Sequence, residues 1–339
     1  MGLRATTITL ITLTVSFSGC GATSGGGSGG ASSAARSAGP TGDAEGARPV
    51  FDFCPSGPYA SPGLEVTPTL IHQGTGSGLF EGPVWISELE ALFFSDMDFS
   101  EKIPPSTIHR LTPPSTVVPA IANAGSNGLA VDADGMIVAC THDTQSVSRF
   151  DPKTGARTAI VRDYDGKPFN SPNDVTIRSD GTLYFTDPDW QAGGRPGPGL
   201  TGVYCRRPGM AAVLIDGSLN KPNGISLSPD QTVLYVGDVS GRVSAYAVTA
   251  DCSPTARRDF ANVTEPDGMA VDCTGNLYVT SHTPGIIHVF APSGEPLGQI
   301  TVAPKLTNLA FGGADHTTLY ASAAKGLYAI GMNVAGFAY

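Results

Sequence analysis

Six oxygen-bearing residues, Glu81, Asn127, Asn173, Asn223, Asp267 and Thr307, stand at the head of six similar segments. These read "EGPVWISELEALFFSD", "NGLAVDADGMIVACTH", "NDVTIRSDGTLYFTDP", "NGISLSPDQTVLYVGD", "DGMAVDCTGNLYVTSH" and "TNLAFGGADHTTLYAS". Brought face to face, two carboxylates and three amides would repel one another or go unsatisfied unless a cation sat among them. Calcium accepts about six to eight oxygens from carboxylates, amide carbonyls and water in irregular geometry, which suits Glu, Asp and Asn. Zinc, copper and iron would call for His or Cys, and neither stands at these heads. One Asn-Gly or Asp-Gly pair is an ordinary turn device. Five Asn, Asp or Glu at one repeat position point instead to a shared divalent metal site, with Ca2+ as the expected ion.

Such a site needs elements that bring distant heads to one axis. After each head comes an alternating run, a turn signal such as Asp134-Gly135 or Asp180-Gly181, and a second run rich in Leu, Tyr, Phe and Val. That is a β-hairpin by period and turn chemistry. Further runs such as "SVSRFDP", "GVYCRRP" and "IIHVFAP" add outer strands. The heads recur at 46, 46, 50, 44 and 40 residues, a period that means stacked supersecondary units. The expected fold is all-β, a six-bladed β-propeller, in which the innermost strand of each blade lines a central channel. Residues 51 to about 75 are expected to supply outer strand that closes the ring. A (β/α)-barrel would need a helix after every strand, and the Gly/Pro-rich connections supply none.

With 43 Gly, 27 Pro and only 15% charged residues in 339, the composition suits a turn-rich β protein. A formal net charge of -10 disfavours nucleic acid or anionic lipid as partners of the folded part. Residues 1–19 read as a secretion signal, too short and Thr-rich for a membrane span. The stretch "FSGC" ending at Cys20 resembles the lipobox of bacterial lipoproteins, so Cys20 is the expected lipidation site. Residues 20–50 then form a flexible tether and 51–339 the propeller. The chain is expected to be exported and lipid-anchored on the periplasmic or cell-surface side of a bacterial membrane, touching it through the lipid alone. Of the other cysteines, none has zinc spacing. Cys140, in "GMIVAC", reads as a buried thiol, and a bridge such as Cys205 to Cys252 is one of several pairings the sequence leaves open.

On "EGPVW", "SNGLAVDADG", "FNSPNDVTIRSDGTLYFTDP", "KPNGISLSPD", "EPDGMAVDCTGNLYVTS" and "LTNLAFGGADHTTLY", the chain resembles the SMP-30/gluconolactonase family of six-bladed propeller lactonases. The likeness runs from Gly78 to Ile330. It implies a divalent metal, commonly calcium, held by Glu81, Asn173, Asn223 and Asp267. It also implies that Asp267 is the general base, that Asn127 either backs the metal ligands or faces the substrate, and that Thr307 or Asn308 forms a further wall of the site. Asp174 is an alternative proton acceptor reached through water, and His142 and His282, at the ends of second strands near one rim of the channel, read either as a proton shuttle or substrate contact or as half-buried structural histidines. Two departures stand out: Thr141 precedes His142 where an acidic residue is usual, and "DPDWQAGG" replaces an aromatic-Gly pair after "DP".

The resulting expectation is a calcium-dependent hydrolase that opens sugar lactones such as gluconolactone, water attacking a metal-polarised carbonyl. Two alternatives remain open at this point. One is a phosphotriesterase-like hydrolase on the same site, and the other a non-catalytic ligand-binding propeller lipoprotein.

Overall fold

The computed structural model describes Cys54 and residues 57–337; the expected signal, Cys20 and the tether of residues 20–50 lie outside the described residues. Six four-stranded antiparallel sheets follow one another along the chain as the blades of a β-propeller. Their innermost strands are Leu79–Ile86, Ser126–Val131, Val175–Ile177, Pro222–Leu227, Pro266–Val271 and Leu306–Gly312. From each, the chain meanders outward strand by strand. The sixth blade is the exception. Its outermost strand, Thr69–Gln73, precedes the first blade in sequence and pairs antiparallel with Gly326–Gly331. Hydrogen bonds between the two ends of the chain thus close the ring and leave no open sheet edge there.

The first hairpins turn by a common device. Asp132 Oδ1 accepts from the amides of Asp134 and Met136, and Asp272 Oδ1 likewise from Thr274 and Asn276; in blades 3, 4 and 6 an Asp two places further along the turn, Asp180, Asp230 or Asp315, accepts the amide of Thr182, Thr232 or Thr317. A side chain that bonds its own backbone two residues on mimics a turn. The turn therefore survives without glycine in blades 4 and 6, where Gln231 and His316 take φ of 57° and 56°.

Alternation along the strands buries one apolar layer at each blade interface. Val84, Phe93 and Ile108 of blade 1 meet Leu129, Val131 and Phe150 of blade 2. The same kind of layer recurs around the ring, ending with Phe80, Trp85 and Phe94 against Tyr320 and Leu327 of blade 6. Nearer the axis, hydroxyls of the second strands staple blades 1, 3 and 5 each to the next. Ser95 Oγ donates to Asn127 O at 2.7 Å, Thr186 Oγ1 to Asn223 O at 2.7 Å, and Thr280 Oγ1 to Thr307 O at 2.9 Å. Cys140 occupies the corresponding place in blade 2 and is a buried free thiol, pushed up by burial. Two disulfides, Cys205–Cys252 and Cys54–Cys273, add covalent ties, the second holding the N-terminal segment to blade 5.

Candidate metal and active site

Local strand geometry sets the site. In five blades the pairing register slips at the head of the innermost strand: between Glu81 and Val84, Ser126 and Leu129, Pro222 and Ile225, Pro266 and Met269, and Leu306 and Leu309. A β-bulge re-aims side chains that regular pairing would direct across the sheet. In blade 3 regular pairing starts only at Val175, and Asn173 is fixed through its amide to Thr186 O at 2.9 Å. The residue after each head is Gly82, Gly128, Asp174, Gly224, Gly268 or Asn308. Close approach demands the glycines. A Cβ on Gly128 would lie 2.3 Å from Asp174 Oδ1, and one on Gly268 would lie 2.0 Å from Asn308 Oδ1. The inner strands thus meet at a waist filled by Asp174 and Asn308, which come from opposite blades.

On one side of this waist lies a cavity of about 680 Å³ whose floor includes Glu81, Asn127, Asn173, Asn223 and Asp267. Five blades each contribute one head. Thr307 does not join them, because its Oγ1 donates to Phe80 O at 2.6 Å. Several heads are locked by one polar atom. Glu81 Oε2 accepts from the Gly82 amide at 3.0 Å and from Asn308 Nδ2 at 3.3 Å. Asn223 Nδ2 donates to Pro266 O at 3.4 Å, which leaves its Oδ1 for the cavity. Asp267 Oδ2 lies 3.2 Å from His282 Nδ1. Asn127 Oδ1 is buried with no hydrogen-bond partner.

The electrostatics fit a cation. Burial holds the Glu81 carboxyl well above the usual range, and Asp267 and Asp174 push it the same way. Burial also raises Asp267, against the pull of His282 and Asn223. Carboxyls driven up by burial and like charge are returned to the ionised form by a cation between them. Among the described residues no three His, Cys, Asp or Glu side chains form a metal-holding group. A cation here would therefore be held by two carboxylates and amide oxygens, a donor set that suits a hard ion.

The remaining sequence candidates lie elsewhere. Asp174 and Asn308 line a narrow chamber of about 40 Å³ on the far side of the waist, among Trp85, Phe311 and Phe337. Asp174 is raised to about 7 by burial and is held by the amides of Val175 at 3.0 Å and Ile225 at 3.4 Å. His142 is fully buried behind the cavity wall, where its Nε2–H donates to Pro104 O at 2.6 Å. The head residues alone do not reveal the mouth of the cavity. Its walls come from the segments joining second and third strands, 98–105 in blade 1 and 188–201 in blade 3, which bring Phe99 and Trp190. Their excess length over 142–145, 239–241, 282–285 and 324–325 is the signal that could have marked them.

Comparison with known proteins agrees with this geometry. Residues 79–325 match the model of the SMP-30/Gluconolactonase/LRE-like region. A gluconolactonase of Zymomonas mobilis is 35% identical over 275 residues, 68% of this chain and 72% of the relative. The solved gluconolactonase of Xanthomonas campestris superposes with a TM-score of 0.68 at 28% identity, covering 82% of this chain and 98% of that one. The calcium-binding protein regucalcin of Agrobacterium tumefaciens, at 19% identity and a TM-score of 0.66 over 80% of this chain and 95% of that one, shares the fold. From the blade repeat, the hub of Glu, Asn and Asp, and these likenesses together, the chain belongs to the SMP-30/gluconolactonase/LRE-like family.

Proposed function

We propose that this protein is a metal-dependent lactonase and that the hub cavity is its active site. The observation that carries the reading is the convergence of Glu81, Asn127, Asn173, Asn223 and Asp267 on one cavity, with buried carboxyls that call for positive charge. Glu81, Asn173, Asn223 and Asp267 would hold the ion, calcium by the all-oxygen donor set. A divalent cation bound there supplies Lewis acidity toward a carbonyl oxygen and charge to offset the developing oxyanion.

The protein groups act around that centre. His282 Nδ1–H fixes Asp267 Oδ2, leaving Oδ1 to accept a proton from an attacking water. Hydrogen-bond reach comes first in assigning a general base, and of the two floor carboxylates Asp267 is the one oriented by a titratable neighbour, His282, whereas Glu81 is held by an amide and Asn308. Asn127, with its unpaired Oδ1, is placed to bind either the ion or a substrate hydroxyl. Asn308 keeps Glu81 in position from beneath. The relative named gluconolactonase makes gluconolactone the first substrate to try.

The test is lactone opening followed with a pH indicator, with and without chelator, alongside direct measurement of bound metal. Turnover abolished by chelator and restored by calcium is the expected result. Calcium retained with no turnover of any lactone would return the cavity to a ligand-binding role. Export with a lipid at Cys20 is a separate proposal, supported by the "FSGC" stretch. It predicts partition of the protein into detergent and its loss in Cys20→Ser; a mature chain that still carries residues 1–19 would reject it.

A further inference from the structure

We infer that the cavity is built for lactones carrying an apolar alkyl or aryl substituent, in preference to polyhydroxylated sugar lactones; this rests on the lactonase reading above. Among the described residues, eight large apolar side chains are exposed, and three of them, Phe99 at 46%, Trp190 at 38% and Val239 at 42%, line this one cavity. They arrive from three blades, on segments 98–105, 188–201 and 239–241. Exposed apolar side chains that converge on one cavity mark a ligand surface, whereas scattered ones carry no meaning. Leu79 and Met97 extend the same apolar wall inward toward Glu81.

Size points the same way. A volume of about 680 Å³ belongs with pockets for drug-sized ligands, and a lactone ring alone would leave most of it empty. The polar groups stand at the floor, where a ring carbonyl would sit, and the apolar ones stand at the mouth, where a substituent would project. Glu101, Lys102, Glu265 and Thr283 share the rim, so the entrance is amphipathic.

The rim is held in place before any ligand arrives. Arg195, in the segment that carries Trp190, donates from Nη1 to Asp143 O at 2.6 Å and from Nη2 to His142 O at 2.5 Å. The same His142 holds Pro104, in the segment that carries Phe99, through its ring. One buried histidine thus ties both walls to blade 2. Preformed apolar walls lower the ordering cost of binding.

The experiment measures kcat/KM of the calcium-loaded protein on δ-lactones from δ-valerolactone to δ-dodecalactone, with gluconolactone beside them. Each added methylene buried at the rim should raise kcat/KM about two- to fourfold until the mouth is full. Trp190→Ala and Phe99→Ala should each flatten that rise. A flat series, or gluconolactone outrunning every alkyl lactone, would overturn the inference. Calorimetry with δ-valerolactam and its octyl-substituted analogue separates the two readings if no lactone turns over. Tighter binding of the octyl compound, weakened in Trp190→Ala, would uphold the apolar rim even though the lactonase reading had failed. Equal binding of the two lactams would overturn it.

Discussion

His142 and His282 occupy the same place in blades 2 and 5, directly after the second strands Ile137–Thr141 and Leu277–Ser281. Their backbones behave alike: the His142 amide donates to Gly125 O at 2.9 Å and the His282 amide to Glu265 O at 3.0 Å. Their side chains do opposite things. His142 is sealed under Pro104 and ties down the wall formed by 98–105, whereas His282 opens on the cavity and bonds Asp267. The preceding blade supplies the reason. Blade 1 sends the long segment 98–105 over its neighbour and covers His142, while blade 4 sends only 239–241, too short to cover His282. The repeat sets where a residue starts, and the lengths of adjoining loops decide whether it meets solvent, substrate or a carbonyl.

The sharpest test of the contrast is to remove the partner that only His282 has. Asp267→Asn should lower kcat by about 10²- to 10⁴-fold, the range for loss of a positioned general base. Undiminished hydrolysis at full metal occupancy, established by metal analysis, would take Asp267 out of that role and leave His282 no more catalytic than His142. Removing His282 itself should cost less, because the carboxylate stays. His282→Ala is expected to lower kcat about tenfold with little change in melting temperature, and steady-state kinetics beside a thermal melt would show it. An equal loss of stability in both histidine variants would dissolve the distinction.

His142→Ala leaves Pro104 O buried without its donor, at a cost of about 1–3 kcal/mol, read by denaturant unfolding. Since it frees the segment that carries Phe99 while the Arg195 bond to the backbone carbonyl of residue 142 remains, KM for alkyl lactones should rise more than kcat falls, the reverse of the His282 pattern.

The smallest effect is a difference in sign with pH, measured on metal-free protein. Burial lowers the His142 imidazole below its usual 6.5, so its contribution is present above that pH and lost as pH falls below it. Asp267 raises His282 above 6.5, so its contribution is full below 6.5 and lost as pH rises through the folded value. Between pH 7.5 and 5.5 the melting-temperature gap between the parent and His142→Gln should shrink, and the gap for His282→Gln should widen. Gaps moving in the same direction would show that the two histidines sit in equivalent environments.

Much of the propeller is legible in the chain because its signals are local. Each head, each alternating run and each Asp-centred turn lies within about a dozen residues, and six copies of a weak signal reinforce one another. The closing strand is less so. The sequence places it only within 51 to about 75, whereas Thr69–Gln73 is defined by its partner Gly326–Gly331 at the other end of the chain. The site divides along the same line. Glu81, Asn127, Asn173, Asn223 and Asp267 are found together because a shared repeat position implies a shared axis. Thr307 holds that position too, yet its short hydroxyl is taken by Phe80 O.

By itself, then, the sequence determined the blade count, the turns and the oxygen-bearing heads, because period and turn chemistry act over a few residues. Only the tertiary structure decided the waist of Asp174 and Asn308, the Asp267–His282 pair, the tie from His142 to both walls and the pairing of Cys54 with Cys273. Those contacts join residues far apart in the chain. Their geometry depends on how closely neighbouring blades approach at the hub and how far each loop reaches, and no single stretch of sequence encodes either distance.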